Sequence, residues 1–240
     1  MAGNTIVVIP TYNEKENVVR LIDEIDKLNL PIDVLVVDDN SPDGTGSVVD
    51  SMKVKRKNID VIHRAKKEGL GPAYIEAFRY ILKKDKHDYI FEMDADFSHN
   101  PKDIPRLLEA VKNCHAAVGS RYIKGGDVSN KWSTLRKFIS RSGNFYARCI
   151  TGLKINDCTA GFKCYRKETL RAIDFDKIFL NGYCFQVQIL YEINKKNLKI
   201  CEVPIFFEER IEGTSKMNLH IVLEAFFSLM LMRARDIFIK

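Results

Sequence analysis

Glu14, Asp38, Asp39, Asp94 and Asp96 each stand a few residues behind an apolar run: Thr5-Ile-Val-Val-Ile9, Asp33-Val-Leu-Val-Val37 or Tyr89-Ile-Phe-Glu-Met93. Ser120-Arg-Tyr122 stands in the same relation to Ala116-Ala-Val-Gly119. Carboxylates crowded on one rim repel each other unless a cation sits among them. Hard oxygen donors suit Mg2+ or Mn2+, whose usual companion is a substrate diphosphate. There is no Gly-x-x-x-x-Gly-Lys-Ser/Thr loop and no Gly-x-Gly-x-x-Gly after the first run. Neither a P-loop nor a dinucleotide fingerprint is therefore present, and metal plus basic side chains must hold the phosphates. One Asp-x-Asp or one Asp-Gly is ordinary turn chemistry, and Glu14 alone would suit a helix start. Three acidic clusters, each directly behind an apolar run, point instead to a metal–nucleotide site.

The elements that must position these groups alternate. The apolar runs at 5–9, 33–37, 59–62, 89–93 and 116–119 lack a polar period and read as strands covered on both faces. Between them lie helical patterns. Val18, Leu21, Ile22, Ile25 and Leu28 form one stripe, with Asn13 as its expected cap and Glu16 three residues on. A short helix is expected from Thr45 behind the Pro42-Asp-Gly44 turn, and another carries Ala73, Ala77 and Ile81 inward. Pro101 opens a fourth, with Ile104, Leu107, Leu108 and Val111. The order implies an α/β fold, a mostly parallel sheet flanked by helices, which binds ligands beyond the carboxyl ends of its strands. From Tyr122 the texture changes: a Gly-Gly loop, a basic helix over 134–151, a strand over 161–165, a helix over 185–195 and a strand over 199–207. No linker is visible, so residues 1–240 are expected to form one domain. Its nucleotide-binding half spans about 1–120, an acceptor half about 121–218 and a C-terminal helix about 219–240.

The 240 residues are 45% hydrophobic and 29% charged, enough for a packed core and unlike collagen, mucin or disordered chains. The net charge of +6 fits an anionic partner. Six Cys without a Cys-x-x-Cys, and no signal-peptide pattern, suggest six reduced thiols in the cytosol. No stretch offers the roughly 20 apolar residues that a spanning helix needs.

Four motifs in order, Pro10-Thr-Tyr-Asn-Glu14, Val37-Asp-Asp-Asn-Ser-Pro-Asp-Gly-Thr45, Met93-Asp-Ala-Asp-Phe-Ser-His99 and Gly119-Ser-Arg-Tyr122, resemble the family-2 glycosyltransferases with the GT-A fold. Ile139-Ser-Arg141 and Arg210-Ile-Glu-Gly-Thr-Ser-Lys216 extend the likeness to the dolichol-phosphate mannose synthase branch, over nearly the whole chain. The resemblance implies transfer of mannose from GDP-mannose to dolichyl or another polyprenyl phosphate with inversion, for glycosylation and GPI-anchor assembly. It implies that Pro10, Tyr12, Glu14, Val37 and Asp39 line the guanosine pocket. Asp94, Ala95 and Asp96 would meet ribose, diphosphate and metal. Asp94, Asp96 and Ser98 are the implied ligands of Mg2+ or Mn2+; some relatives carry Gln where Ser98 stands. Arg121, Arg210 and Lys216 would face the donor diphosphate, and Arg121, Arg136 and Ser140 the acceptor phosphate. Asp96 and Arg121 carry the implied catalytic roles.

A lipid acceptor requires reach to a membrane. The run 219–232 is apolar nearly all round and is followed by Arg233 and Arg235. It is expected either to lie in the interface, docking on small membrane subunits in some relatives, or to close the acceptor groove as a core helix. The implied location is the cytosolic face of the endoplasmic reticulum, or the inner face of the plasma membrane in a prokaryote. Two other enzymatic readings remain: a relative using UDP-glucose or another acceptor, and a nucleotidyltransferase, which should show a Gly-rich loop where Pro10-Thr-Tyr-Asn-Glu14 stands. The basic runs 53–57 and 64–67 lack interleaved aromatics, read as solvated helix ends, and give no nucleic-acid partner.

Overall fold

The computed structural model of the protein describes residues 4–209 and 219–238, with side chains described for 225–236 within the second span. The apolar runs do become strands: β1 (Thr5–Thr11), β2 (Ile32–Asp38), β3 (Ile59–His63), β4 (Tyr89–Glu92) and β5 (Ala116–Ser120). They alternate with α1 (Lys15–Asp26), α2 (Thr45–Lys55), α3 (Leu70–Lys84) and α4 (Ile104–Val111), the last entered through a short 3-10 turn at Pro101–Asp103. The second half adds β6 (Asp127–Val128), α5 (Thr134–Thr151), β7 (Lys163–Arg166), α6 (Lys167–Arg171), α7 (Gly182–Lys195), β8 (Ile200–Pro204), β9 (Phe206–Phe207) and α8 (Leu219–Phe238).

Seven strands form one sheet in the order β3-β2-β1-β4-β7-β5-β8, and β6 pairs with β9 beside it. Every pair in the large sheet is parallel except those made by β7, which runs antiparallel to both β4 and β5. Successive side chains of a strand point to opposite faces. Val7, Ile9, Val34 and Val36 therefore meet Leu21, Ile22, Leu107 and Val111 on one face, while Ile6, Val8, Leu35 and Val37 meet Ala77, Phe78 and Ile189 on the other. Each such buried side chain contributes roughly 1.5–3 kcal/mol. Between β1 and β4 the chain has reversed its direction of travel across the sheet, the place where open α/β sheets leave a crevice.

Several local expectations are corrected. Asn13 does not cap α1: it sits at φ 60° and gives its backbone N–H to Ser41 Oγ, while Glu14 takes the cap position and its side chain accepts from Asn17 rather than from a capping N–H. The strand expected over 199–207 is split between two sheets, β8 and β9, with Ile205 turning between them. β6 and α6 gave no sequence signal that was read. Cys114 and Cys201 form a disulfide, because parallel pairing of β5 with β8 brings positions 87 apart in sequence together. The expectation of six reduced thiols falls, and with it the thiol argument for the cytosol. The run 53–57 is the solvated end of α2 that was expected, with Lys53 paired to Asp60 and Arg56 to Asp23 and Asp26, whereas 64–67 is no helix end. Arg64 and Lys67 belong to the β3–α3 loop and enter the site described next.

Candidate active site

A cavity of about 500 Å3 opens over the carboxyl ends of β1, β2 and β4, lined by Pro10, Tyr12, Glu14, Asp39, Asp94, Ala95 and Asp96 among others. Val37 is not among them. It is fully buried in the core, since its place on β2 points it under the sheet rather than over the strand end. Asp38, one of the rim acids, is consumed structurally: it accepts from Thr11 Oγ1 (3.0 Å), Ser41 Oγ (2.5 Å) and the Ser41 N–H (3.0 Å). Asp39 is held by Arg64 Nη1 and by the Gly69 N–H at 3.3 Å. Arg64 itself is clamped by Glu68 and Glu76, so the Asp39 carboxylate has a fixed orientation. Lys67, not foreseen from the sequence, lines the same cavity and places Nζ 3.5 Å over the Tyr12 ring.

The wall opposite is made where α3 and α7 begin. Gly69 lies at φ 100°, and a Cβ on Gly71 would come within 2.8 Å of the Leu180 carbonyl oxygen, so the two helix starts close only around glycine. Asn181 Oδ1 accepts the N–H groups of Gly71 (3.0 Å) and Gly182 (2.8 Å), tying the two together.

Behind β4 the Asp94–Asp96 loop is held from within. Asp96 Oδ1 accepts both the N–H (3.0 Å) and the Oγ–H (2.6 Å) of Ser98. Ser98 is fully buried and lines neither this cavity nor its neighbour, and its hydroxyl is turned onto Asp96. His99 accepts the Asp94 N–H on Nδ1 at 3.1 Å and stacks on Phe162. Burial pushes its imidazole down to about 4, which keeps the ring neutral and that lone pair available. Directly under the loop, Glu92 and Lys163 form a fully buried pair (3.2 Å), joined by Tyr165 Oη at 2.9 Å and by Gln186. Burial moves the Glu92 carboxyl up and the Lys163 ammonium down, each partly offset by the other.

A second cavity, of about 430 Å3, adjoins the first and shares Leu70, Asp94, Tyr183, Cys184 and Ala225 with it. Arg121, Arg136 and Ser140 all line this second cavity and not the first. The rest of its wall is largely apolar, from Phe138, Ile139, Tyr146, Val187, Phe226 and Leu229. Arg121 is nine-tenths buried and lies in a two-pronged pair with Asp157: Nε to Oδ2 at 2.7 Å and Nη2 to Oδ1 at 2.6 Å, with its own N–H to Oδ2 at 2.9 Å. Burial opposes its charge and Asp157 more than offsets this, so the guanidinium stays firmly protonated. Thr159 Oγ1 accepts from the same Nη2 and from Asn144. Tyr122 Oη donates to Ser140 Oγ at 2.6 Å. Arg136 lies 3.8 Å over the Trp132 ring and pairs with Glu209. Arg210 and Lys216 lie outside the described residues.

Asp157, Thr159 and Trp132 escaped the sequence reading. Asp157 and Thr159 precede a strand instead of following one. Because β7 runs antiparallel, residues that precede it reach the same edge of the sheet. α8 packs on one side and is exposed on the other. Phe226 and Leu229 close the second cavity and Tyr146 stacks on Phe226 at 4.5 Å, while Phe227, Met230 and Leu231 stay exposed. α5 exposes Leu135, Phe138 and Phe145 in the same way. Among the described residues, no helix is long and apolar enough to cross a membrane.

Among the described residues, no group of three His, Cys, Asp or Glu side chains could hold a metal ion by itself. That suits Mg2+ or Mn2+ bound with a nucleotide, which uses one or two carboxylates and completes its shell with phosphate oxygens and water. Asp94 and Asp96 both line the first cavity.

Comparison with known proteins agrees in family and fold. The profile described as Glycosyl transferase family 2 matches residues 6–174. An undecaprenyl-phosphate mannosyltransferase of Micrococcus luteus is 46% identical over 220 residues, covering 92% of this chain and 90% of that one. A polyprenol monophosphomannose synthase of Mycolicibacterium smegmatis is 41% identical over 93% of this chain and 84% of its own. Among solved structures, mannosyl-3-phosphoglycerate synthase from Rubrobacter xylanophilus superposes with a TM-score of 0.69 at 21% identity, over 98% of this chain and 74% of that one. A mannosyltransferase from Pyrobaculum calidifontis in complex with GDP-Man and Mn2+ gives 0.60 at 16% identity, over 99% and 65%.

Proposed function

The chain belongs to glycosyl transferase family 2, and from that premise we propose that it moves mannose from GDP-mannose to the phosphate of a polyprenyl lipid of the dolichyl kind. The meeting of two unlike cavities at Asp94 carries this reading. One is rimmed by carboxylates and suits a metal-bound nucleotide; the other is apolar with arginines at its inner end and suits a prenyl chain headed by phosphate. The names of the M. luteus and M. smegmatis relatives support the acceptor class and the sugar.

Pro10, Tyr12, Glu14 and Lys67 surround the nucleoside, and Asp39 reads the base. A fixed carboxylate accepts the two adjacent N–H donors of guanine, whereas uracil presents one N–H between two carbonyl oxygens that a carboxylate repels. Asp94 and Asp96 would hold Mg2+ or Mn2+, which supplies charge compensation for the departing diphosphate. Arg210 and Lys216 are assigned to that same diphosphate by resemblance. Arg121, Arg136 and Ser140 receive the acceptor phosphate. A phosphomonoester has its second pKa near about 6, so the oxyanion nucleophile is present at neutral pH and no side chain need remove a proton. A phosphate oxygen bonds to the anomeric carbon as the bond to GDP breaks and the electron pair leaves with GDP. Attack from the acceptor cavity, opposite the donor cavity, inverts an α-linked donor to a β-linked mannosyl phosphate. The protein's part is alignment and charge placement.

The lipid acceptor puts this reaction at a membrane surface, on the cytosolic face of the endoplasmic reticulum or the inner face of a prokaryotic plasma membrane. The exposed apolar residues of α5 and α8, beside Arg141, Arg148, Arg233 and Arg235, form a face suited to anionic lipid. Small membrane subunits of the kind the resemblance implies would dock at this face, and binding of the isolated chain to vesicles distinguishes the two arrangements. The deciding assay is incubation with radiolabelled GDP-mannose and farnesyl phosphate, with and without EDTA. Label that enters the organic phase and is lost with EDTA is the expected result. Equal transfer from UDP-glucose would replace this reading with that of a relative of different donor specificity.

A further inference from the structure

The two arginines of the acceptor cavity are held in different ways. Arg121 and Asp157 are both deeply buried, with side-chain exposures of 8% and 0%, and that pair is a fixture. Arg136 and Glu209 are exposed by 21% and 28%, so water reaches both partners and the pair can exchange. Arg136 Nη1 lies 2.9 and 3.2 Å from the two oxygens of Glu209. Glu209 follows β9, whose Phe207 lines the cavity. A phosphate dianion approaching Arg136 meets a guanidinium already neutralised, with a carboxylate beside it. The two anions repel at that distance, so one must leave.

We propose that Glu209 is a built-in competitor of the acceptor phosphate. It occupies Arg136 while the cavity holds no phosphate and yields the guanidinium when one arrives. Trp132 holds the guanidinium plane from its face, where neither anion binds, so Arg136 keeps its place through the exchange. The proposal rests on the reading of Arg136 as a phosphate ligand. If only a fraction of molecules has Arg136 open, apparent affinity falls by that fraction. The reduction applies to acceptor and product alike, so Glu209 weakens substrate binding and keeps the mannosylated lipid from lingering.

Trp132 is the sole tryptophan of the chain and touches Arg136, so its fluorescence reports the exchange without turnover. The test titrates the protein with farnesyl phosphate, following this signal, in wild type, Glu209→Gln, Arg136→Gln and the double variant. Steady-state kinetics with GDP-mannose run in parallel. Expected in Glu209→Gln is a dissociation constant and acceptor KM lower by roughly three- to tenfold, with stronger product inhibition. Expected in Arg136→Gln is weaker binding, which the added Glu209→Gln change does not restore to the wild-type level. An unchanged or raised dissociation constant in Glu209→Gln, with Arg136→Gln still impaired, overturns the competitor role and leaves the acceptor site standing. Unchanged binding in Arg136→Gln overturns the assignment of Arg136 itself, and the competitor with it.

Discussion

On the proposed donor side Asp94 and Asp96 line one rim beside Asp39, which is already paired with Arg64. On the acceptor side Arg121 and Arg136 gather at the end of an apolar cavity and bring their counter-charges with them, Asp157 and Glu209. The carboxylates are steadied by neutral donors, Ser98 on Asp96 and the backbone N–H of Gly69 on Asp39, or, for Asp39, by an arginine clamped in turn by Glu68 and Glu76. The arginines are steadied by full charges. A carboxylate that takes up a metal, as proposed here, is served by neutral donors that leave its charge in place, whereas a cation buried in an apolar wall must be paired before any phosphate arrives. The difference predicts which half tolerates removal of a partner and which does not.

The largest effect is expected on the donor rim. Asp96→Ala removes a carboxylate for which the site has no substitute, and turnover should fall by at least about a hundredfold. EDTA should do the same to wild type, and added Mn2+ should restore wild type only. Retention of most activity in Asp96→Ala, measured as label in the organic phase, would move the metal away from this loop. Ser98→Ala should cost less, roughly tenfold or below, because the Ser98 N–H still holds Asp96 Oδ1 at 3.0 Å.

Asp157→Ala makes the same comparison from the other side. It leaves the Arg121 charge buried without a partner, so the fold should lose about 3–5 kcal/mol. Asp157→Asn keeps the shape and one acceptor oxygen, and should lose less stability while still raising the acceptor KM. Thermal unfolding read beside the two KM values separates these effects. A changed KM for GDP-mannose with an unchanged acceptor KM would return Arg121 to the donor side.

How much of this was readable in the sequence depends on the direction of the strands. Pro10 stands at the end of a parallel strand and Glu14, Asp39 and Asp94 to Asp96 follow one, and such residues reach one edge whatever the pairing order. Asp157 and Thr159 reach that edge because β7 runs the other way, which no period in 161–165 reveals. Val37 was misplaced for the opposite reason. It stands one residue short of the strand end, and the two-residue period of the pleat turns it into the core. The Asn13 cap failed because tertiary bonds from Ser41, Asp43 and Thr45 settle the start of α1 from the neighbouring loop. The helix over 134–151 was legible as a basic helix, and the structure caps it with Ser133 and Gly152, but its two roles, cavity wall and exposed apolar face, belong to its pairing with α8.

A smaller effect is expected at the base-reading carboxylate. Asp39→Asn replaces an acceptor pair with one acceptor and one donor, so discrimination between GDP-mannose and UDP-glucose should narrow by roughly tenfold or more. Turnover at saturating donor should change little. An unaltered ratio would mean that Lys67 and Tyr12, not Asp39, select the nucleotide.

The smallest effect on the chemistry, and the sharpest division between the halves, lies on the outer face of α5. Leu135 and Phe145 are each 67% exposed and line neither cavity. Replacing both with Asp leaves the site intact, so turnover of GDP-mannose with farnesyl phosphate in detergent should stay within about twofold of wild type. The same variant places two charges where the apolar face meets lipid, and binding to vesicles rich in anionic phospholipid should be lost in flotation, together with transfer to a long polyprenyl phosphate embedded in them. Vesicle binding that survives the double substitution but fails at high salt would assign attachment to Arg141, Arg148, Arg233 and Arg235, with the apolar side chains serving only the acceptor chain.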